Sequence, residues 1–333
     1  MNKLFIKSLT LSMALLFTSS IPVFADMNVS RISGYDRYET AMNISKKYFE
    51  TSDAVIIASG EKFPDALIGG SLSTQISAPI LLTKNFNTSD KLLEEINRLS
   101  PDSIYLLGGN LTISESNINK ISSNVTSNVY RIAGKNRYET AEEINKLRDK
   151  LYYANPEEDV DGITIHYFTD VNGNNFYDAL YSAPYFGFIR TEYDMLLYLS
   201  LIPYETIKDS DRISANVIGD INVIYDDPEY PYVNQTRGKN KYETSALIAN
   251  RFKNHVNTDL DTVIITSGDD YPDGLSSAGV SAVEKAPILL TNKYKLDSSV
   301  KNFIKDNHIK NVIIVGGEKS VSKNVENELK SFY

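Results

Sequence analysis

Helical stripes and short, wholly apolar runs alternate through the first third of the chain. Residues 38–50 place Ala41, Ile44, Tyr48 and Phe49 at helical spacing. Asp36 stands where an N-cap belongs, and Glu39 falls in the first turn, where a carboxylate suits the helix dipole. Residues 53–58 read Asp-Ala-Val-Ile-Ile-Ala, a continuous run of the kind buried on both faces of a sheet. A loop follows, then a helix beginning near Asp65. Residues 78–83 form a second buried strand, 89–99 a helix with Leu92, Leu93, Ile96 and Leu99 on one face, and 103–107 a third strand ending in Gly108-Gly109. Residues 114–121 make a short helix, and 129–132 read as a further strand. Alternation of this kind predicts an α/β fold with a parallel sheet covered on both faces.

The same pattern recurs. Arg31-Ile32-Ser33-Gly34-Tyr35-Asp36-Arg37-Tyr38-Glu39-Thr40 returns as Arg131-Ile132-Ala133-Gly134-Lys135-Asn136-Arg137-Tyr138-Glu139-Thr140, and again as Arg237-Gly238-Lys239-Asn240-Lys241-Tyr242-Glu243-Thr244. Phe63-Pro64-Asp65-Ala66-Leu67 matches Phe176-Tyr177-Asp178-Ala179-Leu180 and Tyr271-Pro272-Asp273-Gly274-Leu275. One interval separates Leu81 from Gly108 and Leu289 from Gly316, so the first and third repeats are close copies. The second has drifted: it is longer between Tyr138 and Asp178, it lacks the Ala-Pro before its apolar triplet, and Gly219-Asp220 replaces Gly-Gly. A period of roughly 100 residues is that of tandem domains and exceeds that of a solenoid. The expected division is a leader at 1–25 and modules at 28–128, 129–233 and 234–333, with 226–231 as the last connector.

The leader is read from Lys3 and Lys7 flanking an apolar run at 9–17, with Val23 and Ala25 before the expected cut. That is a secretory signal peptide; the run is too short and too interrupted for a spanning anchor. Its loss makes the formal charge of −9 more negative. An acidic chain is a poor nucleic-acid binder, and no second run reaches spanning length, so neither nucleic acid nor membrane is an expected partner of the mature protein. There is no cysteine, which excludes disulfides and thiolate chemistry. His166, His255 and His308 are scattered, and no metal or cofactor site is expected. No nucleophile elbow, zinc-protease motif or phosphate loop is present.

Three sets of repeated residues are candidates for function. Asp65, Asp178 and Asp273 sit where a loop becomes a helix; a helix cap is favoured over ligand contact. Glu39 and its copies could fork with the arginines of their phrase, as a clamp or as part of a site. The phrases are also basic spots in an acidic protein, with Arg31, Arg37, Arg131, Arg137, Arg237 and Lys241 beside Tyr38, Tyr138 and Tyr242. Cations suit phosphate or carboxylate, and ring faces suit sugars. Lys241 cannot reproduce the planar fork of its arginine counterparts.

Taken together, the Arg-x-x-Gly-x-x-Arg-Tyr-Glu-Thr phrase, the Ser-Gly-x-x-Phe-Pro-Asp-Ala-Leu loop, the Ala-Pro-Ile-Leu-Leu-Thr strand and the later Gly-Gly resemble the cell wall binding repeat 2 family of clostridial surface proteins. The resemblance covers residues 31–333. It implies three Rossmann-like or toprim-like modules in a pseudo-threefold arrangement, found in cell wall and S-layer proteins and attached non-covalently to an anionic secondary wall polysaccharide. It also associates the Ile-Leu-Leu motif with polymer attachment. That motif maps onto Ile80-Leu81-Leu82 and Ile288-Leu289-Leu290, and with one substitution onto Met195-Leu196-Leu197. The physical reading of these triplets is buried strand, so their loss would act by distorting the sheet edge.

The expectation is a secreted, non-enzymatic protein of the cell wall and surface, a bare anchoring unit whose three sites would give avidity if one polymer reaches all of them. S-layer proteins are possible further partners. Two rivals stay open: an exported enzyme acting on wall glycan, and a lattice protein touching only other surface proteins.

Overall fold

The computed structural model describes residues 27–153, 167–189, 196–202, 213–220 and 234–332. The expected leader and the connector at 226–231 lie outside them, as does Met195.

The first repeat runs β1 (Asn28–Ile32), α1 (Arg37–Tyr48), β2 (Ala54–Ser59), α2 (Pro64–Ile76), β3 (Ile80–Thr83), α3 (Asp90–Leu99), β4 (Ser103–Leu107) and α4 (Glu115–Ser122). The second gives β5 (Asn128–Ile132), α5 (Arg137–Tyr152), β6 (Tyr167–Asn172), α6 (Tyr177–Phe188), β7 (Leu197–Ile202) and β8 (Ile213–Ile218). The third gives β9 (Asn234–Thr236), α7 (Lys241–His255), β10 (Thr262–Ser267), a 3-10 turn at Gly274–Ser276, α8 (Ser277–Glu284), β11 (Ile288–Thr291), α9 (Ser298–Asp306), β12 (Asn311–Val315) and α10 (Lys323–Lys330).

The phrase starts each first helix by an Asx cap with a reciprocal carboxylate. Asp36 accepts from the Glu39 amide, while Glu39 Oε2 accepts from the Tyr35 amide at 2.8 Å. Asn136 with Glu139 and Asn240 with Glu243 do the same. This satisfies amides that a helix start leaves open, as a capping box does.

All strand pairs are parallel, in three four-stranded sheets ordered β3-β2-β4-β5, β7-β6-β8-β9 and β11-β10-β12-β1. Repeat and sheet are therefore out of step. The strand that opens each repeat completes the sheet of the repeat before it. At the seam of the ring the N-terminal β1 completes the last sheet, with Asn28 opposite Asn311 and Ile32 opposite Val315. The drift of the second module is visible as a register shift between Phe168 and Thr169.

The modules meet around an axis. Gly70, Ala183 and Ala278 are equivalent positions of α2, α6 and α8, and a Cβ on Gly70 would stand 3.2 Å from that of Ala278 and 3.3 Å from that of Ala183. Small residues let the three helices close on each other. At the helix N-termini Phe63, Phe176 and Tyr271 form a triangle with ring centroids 5.3, 5.9 and 6.5 Å apart. This is the pseudo-threefold arrangement. One buried apolar cluster runs through all three modules, while the outer faces of the first and third sheets carry clusters of their own. Among the described residues no helix is long and apolar enough to cross a membrane.

Candidate functional site

The two basic residues of each phrase have different jobs. The first is a clasp. Arg31 donates to the carbonyls of Gly316 and Val321 at 2.6 and 2.9 Å and to Glu326 at 3.0 Å. Glu326 also takes Lys330 and Lys323, and those bonds together with Arg31 hold its carboxyl down at about 2. Arg131 clasps the Gly108 and Ile113 carbonyls and Glu115; in the third repeat Gln235 holds this position and donates to the Gly219 carbonyl at 3.1 Å, while Arg237 pairs with Asp220 at 2.8 Å. In each case the clasp grips the glycine turn of the preceding module. The donors of Arg31 and Arg131 are spent on that turn. The glutamates of the phrase go to backbone amides, so the expected fork with arginine does not form.

The second basic residue faces the axis. Arg37 lies 5.6 Å above the Tyr271 ring, Arg137 5.7 Å above Phe63, and Lys241 5.5 Å above Tyr177. Each therefore sits on an aromatic ring of the preceding module. Arg37 and Arg137 each donate to a glycine carbonyl, of Gly60 and Gly173. Among the described residues neither makes an ion pair, whereas Lys241 approaches Asp269 at 3.7 Å. A cation over a ring keeps much of its charge available to an anion from solvent.

Tyr38, Tyr138 and Tyr242 are half-buried, packed edgewise against Gly60, Gly173 and Gly268, where any Cβ would collide with the ring. Burial pushes the Tyr242 phenol up to about 12, helped by its bond to Asp269. The apolar triplets are core. Ile80, Leu81 and Leu82, and likewise Ile288, Leu289 and Leu290, are at most 3% exposed; Leu196 is buried and Leu197 half-buried. They lie on the edge strands β3 and β11 and at the start of β7, and no polymer reaches them without opening the sheet.

The helix-cap reading of the aspartates is corrected. Phe63 and Phe176 occupy the N-cap positions without a side-chain cap, Pro64 takes the first helical position, and Asp65 and Asp178 fall inside the first turn. Asp273 precedes the 3-10 turn and caps nothing. The carboxylates instead face the glycines Gly108, Gly219 and Gly316, whose φ values of +112°, +91° and +124° place them in the left-handed region. A Cβ there would strike the carboxylate in each module. Asp273 accepts from Thr40 of the next module at 3.0 Å and from Ser320 at 2.6 Å. Asp178 accepts from Asn175 at 2.8 Å and from Tyr181. Asp65 takes Thr112 and faces Arg137 and Lys62.

Desolvation raises the Asp65 and Asp178 carboxyls to about 6, against the pull of Arg137, Lys62 and Thr112 on the first and of Tyr181 and Asn175 on the second. The folded chain thus holds these protons more tightly than the unfolded chain. Stability is expected to rise as pH falls from about 7 through 6, with the gain complete near 4. Two buried carboxyls shifted this far are worth on the order of 1–3 kcal/mol each. Thermal midpoints at pH 7.5 and 5.5 check this: the midpoint is higher at pH 5.5, and Asp65→Asn lessens the difference. A midpoint that falls on acidification contradicts it.

Beside Asp65 a cleft of about 680 Å³ opens at the junction of modules 1 and 2. Phe63, Tyr271 and Leu111 give it apolar walls; Lys62, Lys135 and Arg137 give it positive charge, against Glu61 and Asp65. Its loops are tied together: Asn85 donates to the Leu111 carbonyl at 3.1 Å and, through its amide, to Glu61 at 2.9 Å. Leu111 and Phe86 nevertheless stand 81% and 77% exposed on these loops. An exposed apolar side chain such as Leu111 on the wall of a basic cleft suits a sugar face next to an anionic group. Lys62, Leu111 and Phe86 carry no signature in the sequence beyond their place in loops after strands. Among the described residues no cluster of three or more potential metal ligands occurs.

The family described as Cell wall binding domain 2 (CWB2) matches the chain at residues 31–118, 131–229 and 235–326. The N-acetylmuramoyl-L-alanine amidase LytC of Bacillus subtilis (strain 168) is 28% identical over 98% of this chain, which spans 63% of that protein. The amidase enhancer of the same organism is 29% identical over 90% of the chain and is spanned to 40%. Among solved structures, Cwp6 and Cwp8 from Clostridium difficile superpose with TM-scores of 0.70 and 0.71 at 24% and 22% identity. Each match covers 92% of this chain and about half of the other, 48% and 52%. The likeness to those structures concerns the fold.

Proposed function

The chain belongs to the cell wall binding domain 2 family, matched in all three repeats, and from that we propose that it is exported and attaches non-covalently to the bacterial wall by binding an anionic secondary wall polysaccharide. Family membership supports wall attachment and a place at the wall or cell surface. The finer reading, an anionic polymer, is carried by one observation. Arg37 and Arg137 lie over aromatic rings around the axis and make no ion pair among the described residues, and Arg137 opens into the basic cleft beside Asp65. A phosphate or carboxylate on a sugar chain meets both needs of that surface, charge for the guanidiniums and a ring face for the apolar walls. Binding without turnover is the activity we assign, in keeping with a binding domain family. Contact with S-layer proteins would use other faces.

Sedimentation with purified walls tests the reading. Protein is expected to pellet with intact walls and to stay in solution with walls stripped of their anionic polysaccharide. Equal pelleting in both would refute it.

A further inference from the structure

The three module junctions share a backbone plan and differ in charge. At the junction of modules 1 and 2, Lys62, Lys135 and Arg137 outnumber Glu61 and Asp65. At the junction of modules 3 and 1 the equivalent positions are inverted. Lys62 becomes Asp270, Lys135 becomes Tyr35, and the neutral Asn136 and Asn110 become Asp36 and Glu318. Arg37 and Lys319 remain there against five carboxylates, since Asp269 and Asp273 stand for Glu61 and Asp65. At the junction of modules 2 and 3, Asn175 replaces Lys62, and among the described residues Arg237, Lys239 and Lys241 stand with Asp178 and Asp220. Lys241 is further engaged by Asp269, and Arg237 is committed to Asp220.

The replaced side chains matter because they stand where a polymer can reach them. Lys62, Lys135, Tyr35, Asp36, Asp270 and Glu318 are all solvent-exposed. Among the described residues, a polymer carrying repeated negative charge meets attraction at one junction, near balance at the second and repulsion at the third. Across a few ångströms such differences exceed what salt at physiological strength screens. The apolar contact changes in the same sense: the exposed Leu111 beside the first cleft is Lys319 in the third module.

Resting on the polysaccharide reading above, we infer that this chain carries one loaded site for the anionic polymer, the junction of modules 1 and 2, and that the junction of modules 3 and 1 repels it. Pseudo-threefold symmetry of the backbone then does not become threefold binding. Avidity from three sites in one chain, the natural reading of three repeats, is replaced by one-to-one engagement.

Titration calorimetry of the full mature chain tests this, with short fragments of the anionic polysaccharide released by mild acid from walls of the producing strain. The expected stoichiometry is one fragment per chain. Lys62→Asp with Lys135→Tyr copies the third junction into the first and is expected to weaken binding by roughly tenfold or more. Asp270→Lys and Tyr35→Lys together with Asp36→Asn and Glu318→Asn make the opposite transplant and are expected to raise the stoichiometry towards two. These positions are exposed, and unchanged thermal midpoints verify that both variants fold. Two or three fragments per unaltered chain, or binding unmoved by Lys62→Asp with Lys135→Tyr, overturns the inference and leaves the polysaccharide reading standing. No binding by the unaltered chain overturns both.

Discussion

Removal of residues 27–32 is expected to leave a chain that does not fold cooperatively. These residues are the only described partner of β12 on its outer side in the sheet order β11-β10-β12-β1. Met27 and Ile32 are 4% and 5% exposed, and burial of side chains of this size stabilises by about 1.5–3 kcal/mol each. Arg31 adds its clasp on Gly316, Val321 and Glu326, and hydrogen bonds to charged groups are worth about 1.5–3 kcal/mol. Together these losses rival the roughly 5–15 kcal/mol that holds a folded protein. They also leave the Asn-Val-Ile-Ile-Val strand β12 as a bare apolar edge, a template for aggregation. Soluble yield and a thermal melt measure the outcome. Insoluble protein, or a midpoint lower by about 10 °C or more, is expected; a melt matching the parent contradicts ring closure by β1.

Gly187→Val is expected to cost about 3 kcal/mol or more, read as a fall in urea midpoint at unchanged slope. Gly187 lies near the end of α6 where that helix crosses α2, and among the described residues this pair forms the largest helix contact. A Cβ at Gly187 would overlap Thr74 Oγ1 and the Ser71 carbonyl oxygen. Neither can retreat cheaply. The Ser71 carbonyl belongs to the α2 backbone, and Thr74 is buried and donates to the Pro184 carbonyl across the junction at 3.0 Å. The two helices must therefore separate, opening the wall between modules 1 and 2. An unchanged midpoint would mean that the junction yields without loss, against the close packing on the axis.

The elements themselves were legible because each carries its own pattern. Val55, Ile56, Ile57 and Ala58 are fully buried, as a continuous apolar run predicts, and Asp36 caps the helix that its position announces. Which sheet a strand joins was not legible. Residues 129–132 read as a strand leading into the second repeat, and nothing in their own side chains says that they complete the first sheet. The pairing of Asn28 with Asn311 is further still from any local signal.

The site was legible by residue type and less so by role. Arg31 and Arg37 stand six positions apart in one phrase, yet one clasps a glycine turn and the other faces the axis. The difference is made by a neighbouring module. The aspartates misled for a local reason: Pro64 takes the first helical position, which carries Asp65 past the cap and onto Gly108. Burial of the Ile-Leu-Leu triplets, by contrast, follows directly from their composition. Lys62 and Asp270 stand one residue before the matched Phe63 and Tyr271, but their opposite charges gain meaning only once each loop is seen to wall a junction.

Wall retention with and without the anionic polymer tests the central claim most directly. Mature protein is sedimented with walls from the producing strain, and with the same walls after mild acid has released the polysaccharide. The account predicts that most of the protein pellets with intact walls, that little pellets with stripped walls, and that added free polysaccharide returns bound protein to solution. Full retention on stripped walls, unmoved by the free polymer, would contradict it.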